Sequence, residues 1–425
     1  MKISRSVFGL WLCSILAFGA EFRAAAVKVD ITPSTPQWLM GYAARQSKGV
    51  HDPIHHRIVA LDNGQAQVYI VSSDFCVFSP QVFDDFAVAL KAKTGIARES
   101  VLWTVTHTHS APELGPPGVY DVLLKGRSDH EWDREYLRTV QDKLIAGIEQ
   151  ARAKLQPATI GFAWGRSNAN INRRAKDLDG TISLGYNPDR PADRQIGLMR
   201  IDGADGQTMA LVANYPMHAT VLGPRMLEIS GDAPGIVASY VEEKLGKGVL
   251  MLYVNGAAGD LAPIYTVTDS PKAGHLGEFR VLLGDKILEA NKGLKTKAAS
   301  TLRAQERWIE TPRREGLGWP TELGAYTNEA NGHIKIPVRI VEIGDAVIWS
   351  APVELFNEIA ATVREMSPFP YTFYYGYTNG WLGYLPVASA FAEGGYEPRT
   401  SPFTARAEPD LRDQVLGAIE RLKKK

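Results

Sequence analysis

Short apolar runs of strand length alternate with helical stripes along almost the whole chain, and no shift in composition divides them. Val82, Phe83, Phe86, Val88 and Leu90 give 80–94 helical spacing, and Leu137, Val140, Leu144 and Ile148 do the same for 132–155. Around these lie β-branched or alternating runs at 27–32, 57–62, 67–73, 101–105, 159–163, 196–201, 209–215 and 249–254. Asn63-Gly64, between two of them, is the strongest short-range signal for a hairpin turn. Further helices are expected at 235–245, 277–291, 354–366 and 410–423, with a hairpin over 334–348 and an aromatic strand at 371–377. The polar stretches 170–174 and 307–331 lack clear periodicity and read as loops. Interleaving of this kind predicts one large α/β domain with mixed β-sheets flanked by helices.

The chain's first 26 residues read as an export leader. Lys2 and Arg5 precede an apolar run at 7–20, and Ala24-Ala25-Ala26 offers a small-residue cleavage site. That run is short for a membrane span, so a secreted or periplasmic protein comprising 27–425 is expected. The bulky Trp11 and Leu12 before Cys13 argue against lipoprotein processing. Beyond the leader only Cys76 remains, so there is no internal disulfide and the core must supply the stability. Lys plus Arg and Asp plus Glu both number 47, without a basic block before Lys423-Lys424-Lys425. Nucleic acid is thereby disfavoured as a partner, because neutralising phosphates needs a concentrated positive face. Oligomeric state is not legible.

Polar residues gather where apolar runs end. The run 101–105 opens into Thr106-His107-Thr108-His109-Ser110, and residues two apart on a strand share a face, which would aim His107 and His109 into one cleft. Such a pair is a metal site, an acid/base pair, or two surface histidines. His218 follows 209–215, Gly259-Asp260 follows 249–254, and Glu354 stands at a helix start, where the helix dipole alone favours a carboxylate. Strand ends line the ligand crevice in α/β architectures. Imidazole and carboxylate ligands with an open position suit catalytic Zn2+, which lowers the pKa of its water to about 7. Asp74, Asp232 and Asp260 either orient the histidines or cap their own turns. His51, His55 and His56 read as surface or packing residues. HExxH, CxxC, GxSxG and P-loop motifs are all missing.

Asp30-Ile31-Thr32, the THTHS segment, Asn170-Ile171-Asn172-Arg173, His218-Ala219-Thr220, Ser230-Gly231-Asp232, Gly259-Asp260-Leu261-Ala262-Pro263, Glu354 and Tyr384…Tyr396-Glu397 follow one another in a fixed order. In these the chain resembles the catalytic N-terminal domain of the neutral/alkaline non-lysosomal ceramidases, exported zinc amidases, over nearly its whole mature length. The resemblance implies one Zn2+ held by His107, His218, Glu354 and Tyr396. It implies His109 beside the metal, contacting substrate or the bound water, and Tyr384 donating toward the developing oxyanion. Arg173 would grip the carbonyl or the released carboxylate, with Arg174 its close rival. The implied activity is cleavage of an N-acyl amide, ceramide or a related lipid, by zinc-activated water, and transient contact with a membrane surface is compatible with such a substrate. Two departures stand out: Ala262 replaces the family's Ser, and a chain ending at Lys425 leaves no room for the family's C-terminal immunoglobulin-like domain. They keep open the same zinc site acting on a non-sphingolipid amide or ester, and an exported binding protein without catalysis.

Overall fold

The turn at Asn63-Gly64 forms as the sequence predicts. Asn63 Oδ1 accepts from the backbone N–H groups of Gln65 and Ala66, Asp62 Oδ1 accepts from that of Gly64, and Gly64 takes φ +78°. It joins two strands of the main sheet in a computed structural model that describes residues 22–246, 248–267 and 275–424. In chain order that sheet comprises β1 (Arg23–Asp30), β2 (His55–Asp62), β3 (Gln67–Ser73), β4 (Val101–Val105), β5 (Gln156–Arg166), β6 (Gln195–Gly203), β7 (Thr208–Tyr215) and β8 (Leu250–Asn255). Its spatial order is β8-β7-β6-β5-β1-β2-β3-β4, with β7–β8 and β3–β4 parallel and the other neighbours antiparallel. Only Arg23↔Pro157 and Ala24↔Gln156 join β1 to β5, so two four-stranded halves fold toward each other. The ends of β4 and β8 meet, where Asn255 Nδ2 donates to the Thr106 carbonyl at 3.2 Å.

A second mixed sheet, Leu302–Pro312, His333–Ile343, Ala346–Ser350 and Tyr371–Tyr375, lies against the first. Side chains alternate faces along a strand, and the sequence uses both. Val341, Ile343, Ile348 and Phe373 pack toward Val59, Ile70, Met199 and Val212 of the main sheet. Ile336, Val338, Ile340, Val347 and Trp349 pack instead with Ile359, Val363, Leu411 and Val415 of the helices Asn357–Met366 and Ala407–Lys423. The main sheet's other face is covered by Pro80–Thr94 and Arg134–Ala153 on one half and by Asp232–Leu245 on the other. Each fully buried aliphatic side chain here contributes about 1.5–3 kcal/mol relative to exposure.

Four expectations need correction. Leu302–Pro312 is an eleven-residue strand paired along its length with His333–Ile343, although 307–331 reads as a loop; as an edge strand it carries half-exposed Arg303, Gln305 and Glu306, which blur the alternation. Asn170–Lys176 is also a strand, between Leu261–Pro263 and Ile182–Asn187, and Asn170, Asn172, Arg173 and Arg174 are buried in it because each finds polar partners inside the fold. Glu354 belongs to a two-residue parallel bridge with Tyr384–Leu385, and the helix begins only at Asn357. The expected leader lies outside the described residues up to position 21, but its boundary at Ala26 falls inside β1. Ala24 and Ala25 are buried and pair with Leu61 and Ala60, so the described fold starts at Phe22.

His56 is a packing residue with a measurable signature. The wholly buried ring accepts from the Ser73 hydroxyl at Nδ1 (2.6 Å) and donates from Nε2 to the Val140 carbonyl (3.2 Å), while Ser73 accepts from Trp103 Nε1. That pattern needs the neutral imidazole, and burial lowers its pKa from 6.5 to about 3. The unfolded ring still protonates near 6.5, so falling pH favours the unfolded chain. At about 1.4 kcal/mol per pH unit, going from pH 7 to pH 5 removes roughly 2 kcal/mol through this residue. A His56→Leu variant should lose that much less than wild type over the same interval in urea unfolding; equal losses would refute the neutral ring.

Candidate functional site

After β4 the chain turns sharply instead of continuing as a strand. His107 takes φ +66°, a left-handed conformation that costs a non-glycine residue energy, and its ring stacks on Tyr377 (centroids 4.2 Å apart), itself at φ +53°. The convergence of His107 and His109 therefore comes from this turn and not from a shared strand face. Their Nε2 atoms lie 3.4 Å apart with the rings nearly perpendicular. His109 packs over Gly41, where φ is +103° and a Cβ would come within 2.4 Å of Nδ1. His218 follows β7 past Pro216, and Glu354 follows Ala346–Ser350. The small-residue turn after β8 serves this neighbour: a Cβ on Gly259 would stand 2.7 Å from the Glu354 carbonyl.

Hydrogen bonds aim the two imidazoles. His107 Nδ1–H donates to the Cys76 carbonyl (3.0 Å) and His218 Nδ1–H to that of Ala258 (2.7 Å), so both Nε2 atoms face the Glu354 carboxylate. Glu354 Oε2 lies 3.4 Å from the first and 3.1 Å from the second, while Trp381 Nε1 donates to Oε1 at 2.9 Å. The three groups are buried, and their donor atoms fall within 4.8 Å of one another. Ligands at 2.0–2.1 Å from a tetrahedral zinc are about 3.3 Å apart, so this trio fits a divalent cation with a position to spare. Burial would raise the Glu354 pKa, but His107 and His218 hold it well below the usual carboxylate range. Burial, then the charges of Arg173 and His107, lowers His218 to about 3. Burial and then the charges of His107 and His218 also push His109 well down. Burial disfavours the His107 cation, but Cys76 and then Glu354 outweigh it and raise this ring's pKa to about 10. His107 would therefore shed a proton on taking a metal, since neutral imidazole is the form that binds one or accepts a proton.

His218, of this trio, borders a cavity of about 420 Å³, with His107 and Glu354 behind it. His109, His218, Arg173, Tyr384 and Tyr396 line it, together with Tyr42, Arg127 and Ala262. Arg173 donates from Nη2 to the Tyr384 hydroxyl (3.1 Å) and from Nε to Glu397 (2.9 Å). Because a guanidinium cannot accept, the Tyr384 proton is left free for another partner, and its oxygen lies 3.4 Å from His218 Nε2. Arg174 points away and is consumed by Glu397, Glu393 and the Gly394 carbonyl, so of the two rivals only Arg173 reaches the cavity. Tyr396 stands beside Tyr384 with ring centroids 5.6 Å apart, its phenol pKa raised by burial and then by the Glu354 charge.

The three aspartates anchor turns. Asp260 accepts from Asn172 Nδ2 and from both the backbone and side chain of Asn357, Asp232 accepts from the Leu222 and Ala233 N–H groups, and Asp74 binds Arg57 and the His55 N–H. Sequence reasoning gave no role in the centre to Trp381, Tyr377 or Glu397, nor to Cys76, whose Sγ lies 3.8 Å from His107 Nδ1. Glu397 adjoins Tyr396 in sequence; the others carry no local signal.

Known proteins resemble this chain in sequence and in fold. The family described as neutral/alkaline non-lysosomal ceramidase, N-terminal, matches residues 22–265. The neutral ceramidase of Pseudomonas aeruginosa is 27% identical over 282 residues, 61% of this chain and 41% of that protein. Neutral ceramidase A of Dictyostelium discoideum is 29% identical over 237 residues, 52% of this chain and 31% of its own length. The chain thus matches less than half of either relative. In three dimensions the crystal structure of the Pseudomonas aeruginosa enzyme superposes with a TM-score of 0.76 at 19% identity, covering 95% of this chain and 75% of that one, which establishes a common fold.

Proposed function

Because this chain belongs to the neutral/alkaline non-lysosomal ceramidase family, we propose that it is an exported, zinc-dependent hydrolase of N-acyl amides, with ceramide or a related lipid as substrate. The carrying observation is the meeting of His107 Nε2, His218 Nε2 and Glu354 Oε2 beside a cavity that His218 lines. These three, with Tyr396 as the fourth ligand, would hold one Zn2+. When bound, the ion supplies a water acidified to a pKa of about 7 and polarises the scissile carbonyl. His109, neutral and 3.4 Å from His107, is placed to take a proton and return it to the leaving amine. Tyr384, its oxygen fixed by Arg173, donates its hydroxyl proton toward the developing oxyanion. Arg173 adds positive charge on the same side and can receive the released carboxylate. Residues up to 21 are proposed to act as the export leader, and no described helix is long and apolar enough to cross a membrane.

Ala262 favours a second reading. It lines the cavity where the family carries Ser, so its wall offers a methyl group in place of a hydroxyl. The same centre acting on a non-sphingolipid amide or ester fits that wall. One experiment serves both readings: measure metal content, and follow fatty acid released from ceramide and from a panel of acyl amides and esters, before and after chelation. Near one equivalent of zinc is expected, with turnover lost on chelation and restored by zinc. Turnover that persists once the metal is gone would overturn the proposal, as would full occupancy without hydrolysis of any substrate. Hydrolysis of the panel but not of ceramide would select the second reading.

A further inference from the structure

The cavity's charge is lopsided. Two guanidiniums line it, Arg127 and Arg173, and among the described residues no aspartate or glutamate does. Arg173 is balanced by Glu397 at 2.9 Å. Arg127 has no such partner: among the described residues no carboxylate lies within ion-pairing distance of it. It sits half-buried in the turn after the short helix Val119–Leu123, where its N–H donates to the Leu124 carbonyl. Burial disfavours its charge, but the phenols of Tyr396 and then Tyr120, both within hydrogen-bonding reach of the guanidinium, outweigh burial and raise its pKa.

A planar guanidinium that faces a cavity and lacks a carboxylate is suited to receive one from a ligand, since its donors form a fork matched to that group. The ceramide head group is neutral and gives it nothing to bind. We infer that Arg127 is a specificity residue that receives an anionic group, a carboxylate in the simplest case, carried by the acyl amide in the cavity. This deepens the hydrolase reading and rests on it for the choice of acyl amides as ligands. Arg173 and the metal centre would hold the scissile carbonyl while Arg127 holds the charge further out, and substrates without that charge would bind more weakly.

Calorimetric binding to the zinc-loaded protein tests this without needing turnover. Two pairs of probes differ only in charge: hippurate against its primary amide, with the anion on the amine side, and succinanilic acid against its primary amide, with the anion on the acyl side. In wild type the acid of at least one pair should bind about ten- to a hundred-fold more tightly than its amide, the scale of a charge-assisted contact. In Arg127→Gln, with zinc content equal to wild type as the check on folding, that preference should fall to within about two-fold. Equal affinities within both pairs in wild type would overturn the inference, and so would a preference that survives in Arg127→Gln. Absence of hydrolysis on every acyl amide, with the binding preference intact, would sink the hydrolase reading and leave this one standing.

Discussion

Glu354→Gln should weaken zinc binding at least about 100-fold and abolish measurable hydrolysis. Outer partners of metal ligands already cost 10–100-fold when removed, so loss of a direct ligand sets the floor. The substitution keeps the shape of the side chain and removes the charge that faces both imidazoles at 3.4 and 3.1 Å. His218→Ala should behave alike, and Trp381→Phe, which removes only the N–H that holds Oε1, should fall in the 10–100-fold range. Thermal unfolding gives an independent readout. A ligand at 100 times its Kd stabilises by about 2.7 kcal/mol, so zinc should raise the wild-type midpoint and leave that of Glu354→Gln unmoved. Wild-type zinc content in Glu354→Gln, or an equal zinc-induced shift in both proteins, would remove Glu354 from the centre.

How much of this was legible beforehand depended on whether a signal was local. The hairpin at Asn63-Gly64 and the helix Pro80–Thr94 form where turn chemistry and periodicity put them, because both are decided within a few residues. Even there Val88, counted into the apolar stripe, is exposed. The pairing of His107 with His109 was legible, but for the wrong reason: a left-handed residue, which no spacing rule foretells, brings them together. His218 and Glu354 lie 111 and 247 positions beyond His107, and only the chain's topology gathers them. Family resemblance could point to them where periodicity could not. Polar strands fared worst: Asn170–Lys176 looks like a loop because the arginine and asparagines that make it polar are buried against the site's own partners.

Those arginines set a large expected stability effect. Glu397 is almost wholly buried and its two oxygens are divided between Arg173 (2.9 Å) and Arg174 (2.6 Å). Removing one member of a buried ionic group leaves the remaining charges without compensation, which costs about 3–5 kcal/mol. Glu397→Gln should therefore lower unfolding free energy in urea by that amount, and hydrolysis with it, because Arg173 loses the contact that fixes it beside Tyr384. The loss should be partly recoverable. In Glu397→Gln/Arg174→Met one uncompensated guanidinium is gone and a similar apolar volume takes its place, so the double variant should be more stable than Glu397→Gln alone. Hydrolysis should stay low in both, since neither restores the carboxylate that holds Arg173. A loss below about 1 kcal/mol in Glu397→Gln would mean that solvent or Glu393 compensates the two cations, and the account of Arg173 as a group positioned by Glu397 would fail with it.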